Sequence, residues 1–363
     1  MTEKNFCFKP QYLNEFKCDG KRCGSRCCRN NWGIFVDAKI YKKYCDLPPM
    51  IAQKILQHLR QDLAGEKYFI VHDEKNCCPF LDADNLCKIQ KAYGEDYLSR
   101  VCASYPRIIT RIENFLEVAL SPTCPLATEI IMLKREPLQF EIVEADEKFL
   151  KLGDGNILQG LPQNFAPLLI GIQLAMVSIL QERRLTIDQR LIVLGFFLDR
   201  IEELFHAEKL NNATLNELTE IYLSEEFFAE QVPLMIQSVK FNATAYKNFM
   251  HEIFFELELL PICTGKFLPN EFVTIAENFL VNEIFLNAWP LRLDTTIANN
   301  FGVFVAVYKI FEQCACCLET VDDLLILIRA FSKKINHDED CLTKISAHVG
   351  NDTFELMEKL LRA

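Results

Sequence analysis

Residues 16–28 read FKCDGKRCGSRCC and place Cys18, Cys23, Cys27 and Cys28 within eleven positions. Intervals this short let one loop wrap its thiolates around a metal or cluster, and Gly20 and Gly24 permit the backbone turns that wrapping needs. Lys21, Arg22, Arg26 and Arg29 are interleaved with them. Neighbouring cations favour the deprotonated thiolate, which is the ligand form. The bland alternative is a pair of inert buried cysteines in a solvated basic loop, but structural cysteines do not normally come four to a loop.

Further along, Cys77 and Cys78 open CCPFL, and Cys87, Cys102 (in CASYPR) and Cys124 (in SPTCP) follow at wider gaps. Wider gaps imply ligands drawn from separate turns and helix ends. Most of the 16 cysteines lie before position 125, so the composition shift itself marks a boundary. The opening residues MTEKNFCFKPQYLNEFKC lack the apolar core of a signal peptide. A cytoplasmic, reducing setting is therefore expected, where metal binding explains clustered cysteines better than disulfides do. Four thiolates suit either structural zinc or a [4Fe–4S] cluster. The spacings C-x3-C-x2-C and C-x2-C-x2-C do not occur, and spacing alone does not choose between the two. Cys314, Cys316 and Cys317 sit in an apolar helical stretch and read as packing residues at a helix end, as do the isolated Cys7, Cys45, Cys263 and Cys341.

Beyond about residue 160 the pattern is one of successive amphipathic helices. Thr186 with Gln189, and Thr214 with Glu217, look like capping boxes. Leu191, Leu194, Leu198, Ile201 and Phe205 recur at spacings of three and four, one face of a helix. Pro233, Pro261, Pro269 and Pro290 are expected to divide the run. Residues 107–120, RIITRIENFLEVAL, alternate as a hairpin with Glu113-Asn114 at its turn. The expected architecture is mainly α: a cysteine-rich region over residues 1–137 with short irregular or β pieces, a linker or excursion over 138–160, and a bundle-like helical region over 161–363. The apolar stretch 165–180 contains Gln173 and falls short of the ~20 residues a bilayer span needs; it reads as a buried core helix.

A formal net charge of −11 argues against phosphate-dependent binding of nucleic acid and would suit a cationic substrate such as a lysine side chain. No phosphate-binding loop, nucleophile elbow or zinc-protease motif is present. Gly153-x-Gly155 follows no clear strand, so a Rossmann-type nucleotide site has no support. The histidines His58, His72, His206, His251, His337 and His348 are scattered, and surface or helix-end positions are expected for them.

The order Phe16, Cys18, Gly20, Cys23, Cys27, Cys28, Trp32, Ile34, Asp37, followed by CPFL (78–81), LCKIQKAYGEDYLSRVC (86–102) and YPR (105–107), resembles the flagellin lysine-N-methylase family. Its cysteine pattern is also similar to that of small zinc- or iron-chelating proteins. ENFLVNEIFLNAWPL (277–291) and FSKKINHDED (331–340) resemble the helical part of the methylases, although Lys333 and Asn336 stand where the family has an Arg and a Glu. The resemblance implies transfer of a methyl group from S-adenosylmethionine to flagellin lysines by an enzyme with a [4Fe–4S] cluster. It carries over Cys18, Cys23, Cys27, Cys28, Cys78, Cys87, Cys102 and Cys124 as ligands, with Cys77 outside the pattern. Eight exceed what one cluster needs: either four hold it and the rest support it, or there are two sites. Arg22, Arg26, Arg29 and Arg107 are candidates to clamp the cofactor carboxylate, Tyr105 reads as a packing residue, and no catalytic base is identified. The competing expectation is a non-catalytic zinc or cluster module with a helical partner-binding region.

Overall fold

Thr186 and Gln189 form the expected capping box: the Gln189 amide donates to Thr186 Oγ1 at 3.3 Å, and the Thr186 amide donates to Gln189 Oε1 at 3.1 Å. The helix they open, Ile187–His206, buries Leu191, Leu194, Leu198 and Ile201. Phe205, expected on the same face, is 40% exposed at the last turn. The second expected box starts three residues earlier than the Thr214–Glu217 pairing predicts. Asn211 is the N-cap, accepting from the Ala213 and Thr214 amides, and Thr214 Oγ1 accepts from the Asn211 amide at 2.9 Å. Asn caps at least as well as Thr, so the helix begins at the earlier site.

The computed structural model describes residues 4–30, 32–62, 64–65, 67–153, 165–259, 268–293, 295–338 and 340–362. Its strands are β1 (Phe6–Pro10), β2 (Phe35–Val36), β3 (Leu59–Gln61), β4 (Tyr68–Ile70), β5 (Arg107–Ile112), β6 (Phe115–Leu120) and β7 (Phe140–Glu144). The helices of the N-terminal half are α1 (Gly20–Cys23), α2 (Ala38–Cys45), α3 (Pro49–Leu56), α4 (Lys88–Tyr93), α5 (Arg100–Ser104), α6 (Pro125–Met132) and α7 (Glu147–Gly153). Then follow α8 (Ala166–Leu180), α9 (Ile187–His206), α10 (Asn212–Tyr222), α11 (Glu225–Ser238), α12 (Ala243–Glu256), α13 (Val273–Leu286), α14 (Ile297–Ala315), α15 (Val321–His337), α16 (Cys341–Val349) and α17 (Thr353–Leu360). The molecule is mainly helical, with its small sheets near the N-terminus.

The expected hairpin is present: β5 and β6 pair antiparallel around Glu113, which takes a positive φ of 53°. They belong to a four-stranded sheet ordered β5-β6-β1-β7, in which β1 runs parallel to β6 and antiparallel to β7. Residues 138–160 therefore supply an edge strand and the short α7, with 154–160 outside the described residues. A three-stranded sheet, β2-β4-β3, lies between the cysteine clusters. Pro233 does not break the chain but sits inside α11, where it is exposed, so water can take the carbonyl it frees. Pro269 and Pro290 flank α13 at its two ends as expected, and Pro261 lies outside the described residues.

Among the described residues two main apolar cores form, beside a minor cluster of Ile112, Phe165, Ala166 and Leu169. The large one joins β1, β6 and α6 to the helices from α8 onward, so the N-terminal sheet and the helical region share one interior. The small one gathers Ile34, Val36, Ile40, Tyr44, Ile55, Leu59, Ile70, Phe80 and Ile89. Helix α13 is buried along Ile275–Leu286, polar residues included. Asn278 Nδ2 donates to the carbonyls of Ile131, Met132 and Lys134 at the end of α6, Asn282 Nδ2 donates to Leu120 O at 3.2 Å, and Tyr12 hydrogen-bonds Asn282. Glu277 accepts from Arg183 and Arg190 at 2.8 Å each. Buried polar groups are costly unless paired, and here the pairing pins α6, whose N-cap is Cys124, against the helical region. Among the described residues no helix is long and apolar enough to cross a membrane.

Candidate metal centre

The loop that carries Cys18 to Cys28 is shaped by local polar bonds. Asp19 caps α1, accepting from the amides of Lys21 and Arg22. Gly24 ends that turn at φ +64°, a left-handed conformation that costs glycine least. A side chain at Gly20 would meet the Asn85 carbonyl oxygen at 2.5 Å, so only glycine lets this loop pass the turn before Cys87. Ser25 Oγ donates to that same carbonyl.

The second set of cysteines hangs from two similar turns, DEKNCC (73–78) and DADNLC (82–87). Asp73 Oδ1 accepts from the Lys75 and Cys77 amides, and Asp82 Oδ1 accepts from the Asp84 and Leu86 amides. In each turn the asparagine, Asn76 or Asn85, takes a positive φ near 60°. Asp and Asn are the residues whose side chains make such turns locally. The D-x-x-N repeat was visible in the sequence and is the signal that would have placed these loops. The Cys78 amide then donates to Cys28 O at 2.8 Å, joining the two cysteine-bearing segments. Cys87 precedes α4 as its N-cap, and Ser99 caps α5, in which Cys102 lies.

The result is a cavity of about 190 Å³ whose wall includes Cys18, Cys23, Cys27, Cys28, Cys78, Cys87, Cys102 and Cys124. These are the eight cysteines carried over from the sequence, and each is a free thiol. Cys77 stays outside; Arg29 Nη1 donates to its sulfur at 3.2 Å. Cys7 and Cys341 are buried packing residues as expected. Cys45 is exposed instead, and Cys317 is disulfide-bonded rather than simply packed. Cys263 lies outside the described residues.

Cys27 and Cys28 are 3.9 Å apart at sulfur. Their shared hydrogen bond lowers the Cys27 thiol to about 7 and raises that of Cys28, so Cys27 is the readier thiolate. Burial pushes the thiols of Cys78 and Cys124 up to about 11. Without a cation the wall is therefore mostly neutral thiol, and a bound metal would displace protons. Among the described residues, no three His, Cys, Asp or Glu side chains converge tightly enough to grip a single ion. Zinc needs its sulfurs about 2.3 Å from the ion. A cubane cluster spreads four thiolates over the corners of a larger body. Eight soft free donors around one cavity suit a thiophilic centre, whether zinc or a cluster.

The arginines flank this cavity without lining it. Arg22 pairs with Glu129 of α6. Arg29 is committed to Gly24 O, Cys77 and Asn85. Arg107 lies over the Phe16 ring at 5.1 Å, its charge disfavoured by burial and favoured by Glu95 and Cys18. Tyr105 does line the wall, edge-on to Trp32 at 5.0 Å, with its hydroxyl 3.2 Å from Thr123. His72 also lines the wall. Burial lowers its pKa, so its ring is neutral at pH 7. A surface position was expected for it; it arrives here because β4 ends at Ile70, just before it. Arg329 of α15 is a further residue the sequence did not single out, its charge influenced by Arg26, Glu129 and Cys124.

Comparison with known proteins agrees with the sequence resemblance. Residues 173–362, half of the chain, match the family described as "FliB lysine N-methylase C-terminal domain". The "Flagellar biosynthetic protein FliU" of Salmonella muenchen is 30% identical over 128 residues, covering 34% of this chain and 75% of that protein. The "Lysine-N-methylase" proteins of Salmonella typhimurium and Salmonella choleraesuis are each 30% identical over 128 residues, 34% of this chain and 32% of theirs. The matched part thus spans about a third of those two relatives. No solved structure matches the chain. With the helical half matched throughout, the chain belongs to the FliB lysine N-methylase C-terminal domain family.

Proposed function

We propose that this chain is a protein-lysine N-methyltransferase that moves the methyl group of S-adenosylmethionine onto flagellin lysines, in the cytoplasm, with an iron–sulfur cluster held by its cysteines. Family membership supports lysine N-methylation, and the flagellar name of the Salmonella muenchen relative supports the substrate. One observation carries the metal-centre reading: eight free thiols from four separate segments line a single cavity.

In the transfer the lysine nitrogen lone pair forms the N–CH3 bond as the S–CH3 bond breaks. S-adenosylhomocysteine leaves as a neutral thioether, and the nitrogen sheds a proton. An iron with an open coordination position would supply an anchor for the amino and carboxylate groups of the cofactor, a role that needs no glycine-rich fold. The chain's own residues do the rest. The amine must arrive neutral, so a desolvating wall or a base is required. His72, a neutral imidazole on that wall, is the candidate proton acceptor. Tyr105 is unsuited to the task because burial raises its pKa, and it packs against Trp32 instead. Arg107, whose charge interacts with Cys18, and Arg26, next to Cys27 in sequence, are the candidates to balance thiolate charge and to offer a carboxylate clamp.

The test is anaerobic reconstitution followed by counting methyl groups on flagellin lysines. Transfer that depends on iron and sulfide is expected, and His72→Gln should lower kcat and shift its pH profile. Full activity from an iron-free preparation would reject the cluster. A colourless protein containing zinc alone and inactive on flagellin would favour the non-catalytic module.

A further inference from the structure

We propose that the free edge of β7 is where the protein substrate docks, an extended lysine-bearing segment adding to the four-stranded sheet as a further strand. The proposal rests on the lysine-methylation reading above and assigns a surface to its substrate.

Strand β7 is the last in the order β5-β6-β1-β7, and its outer side pairs with no strand among the described residues. The opposite end of the sheet is closed differently, because α7 leaves β7 and packs against β5 and β6. The ladder fixes which backbone groups face out. The Gln11 amide donates to Gln139 O at 2.8 Å, and the Ala145 amide donates to Asn5 O at 3.0 Å. In an antiparallel pair, bonded and non-bonded positions alternate. Glu141 and Val143, opposite Lys9 and Cys7, are therefore the positions bonded to β1. The N–H and C=O groups of Phe140, Ile142 and Glu144 point away from it. Pro10 agrees with this phase: it has no N–H to give, and it sits opposite Phe140, where the ladder asks for none.

Apolar surface is left open along the same edge. Phe8 is fully buried, with the rings of Phe140 and Phe285 at 6.0 and 5.1 Å. Ile142 lies beside Phe8 on that face, yet it is 50% exposed. A further strand would cover it and satisfy the outward backbone groups, as peptides do when they add to an exposed sheet edge.

Charge selects the occupant. Residues 141–147 read EIVEADE, four acids and no base. Glu144 pairs with Lys4 at 3.7 Å, both side chains largely exposed. Such a surface pair is worth little, so a substrate lysine can take the place of Lys4. A second copy of this chain would bring the same acidic run against its like, which charged edges are built to prevent. The Phe140 end of β7 lies beside Pro10, from which the chain runs through the turn Gln11–Glu15 to Phe16 on the cavity wall. A segment docked here has one end directed toward the candidate site.

The test measures initial rates of methyl incorporation into flagellin by the full chain purified anaerobically. Ile142→Pro deletes an outward N–H and breaks no bond to β1. It should raise KM for flagellin about fivefold or more, the worth of one or two hydrogen bonds, with kcat, metal content and denaturation midpoint near those of the parent. Glu144→Lys should raise KM at low salt and lose the effect at high salt. Glu220→Lys, the same charge change on α10, should leave KM unchanged. Bound flagellin should slow hydrogen exchange over residues 140–144. If the proline variant fails to fold, the charge reversal and the exchange pattern decide the matter. A parent that methylates flagellin, with KM unaltered in the β7 variants and no protection of 140–144, would overturn the docking surface and leave the activity standing. A dimer of this chain that Ile142→Pro dissociates would overturn it in favour of a second copy. A parent that neither binds nor methylates flagellin would overturn both readings.

Discussion

The two main cores of this molecule are held by different means. The large core closes by side-chain packing and paired buried polar groups such as Arg190 and Glu277, with aromatic rings stacked between helices: Phe279 lies 4.6 Å from Phe311 and 6.0 Å from Phe331. The small core is a thin layer of aliphatic and aromatic residues between residues 34 and 89, bordered by the thiol cavity. A core of that size rarely stabilises itself, and small units recruit a metal or a disulfide instead. The comparison teaches that the thiols line the seam where the small core meets the large one. With the proposed metal centre in the thiol cavity, the largest expected consequence is that metal loading decides the fold of one region and not the other. Structural metal binding is worth on the order of 10 kcal/mol. Removing metal should strip hydrogen-exchange protection from residues 34–98 and leave α8, α9, α13 and α14 protected. Equal protection in loaded and metal-free protein would break the comparison.

The reverse experiment acts on the large core. Phe279→Ala should cost about 3–5 kcal/mol through lost burial and a residual cavity, seen as a lower midpoint in denaturant. Metal content per folded molecule should not change, because Phe279 is absent from the thiol wall.

A second large-core effect depends on pH. Glu117 on β6 is buried beside Gln173, and burial, only partly offset by that neighbour, holds its pKa well above the ordinary value. Its neutral form is favoured in the folded state, so the stability it contributes is full below the ordinary glutamate pKa and is lost as pH rises toward the folded one. Glu117→Gln removes that slope. The variant and the parent should be alike near pH 4 and diverge in the variant's favour toward pH 8, measured by urea unfolding. Parallel curves across that range would show that Glu117 is solvated.

Much of this was legible beforehand. The helical region, the hairpin, the capping box at Thr186 and the buried helix Ala166–Leu180 follow from periodicity and cap chemistry, which are local properties. The eight cavity cysteines were legible because the family pattern names them. What escaped was set by tertiary contact. The strand Phe140–Glu144 is recognisable only through its pairing with β1. His72 and Arg329 reach the site by the approach of distant elements, and no local pattern marks them. The twin D-x-x-N turns were local and readable, yet the cysteines beside them dominated the reading.

Close approach between the two cysteine segments gives the next test. Gly20→Val would drive a side chain onto the Asn85 carbonyl, where an added Cβ already meets oxygen at 2.5 Å. Overpacking against backbone costs about 1–3 kcal/mol. Because the displaced backbone belongs to the turn that leads into Cys87, metal content should fall together with stability. The comparison sharpens if protection is lost in residues 34–98 and kept in α14.

The smallest effect separates the two similar turns. Asp82→Ala deletes the acceptor for the Asp84 and Leu86 amides, and Asp73→Ala deletes that for the Lys75 and Cys77 amides. Loss of an outer-sphere support of this kind weakens metal binding by about tenfold or somewhat more. The two turns do not lead to the same place, however. Asp82's turn supplies the Asn85 carbonyl that meets Ser25, and then Cys87 on the cavity wall. Asp73's turn orders Cys77, which lies outside that wall, while Cys78 is fixed independently by its bond to Cys28 O. Metal affinity by competition with a chelator should therefore drop in Asp82→Ala and stay near the parent value in Asp73→Ala. Equal losses would mean that the turns support the cavity jointly, and that the small core answers to its loops as a unit rather than to the bonds that reach the thiols.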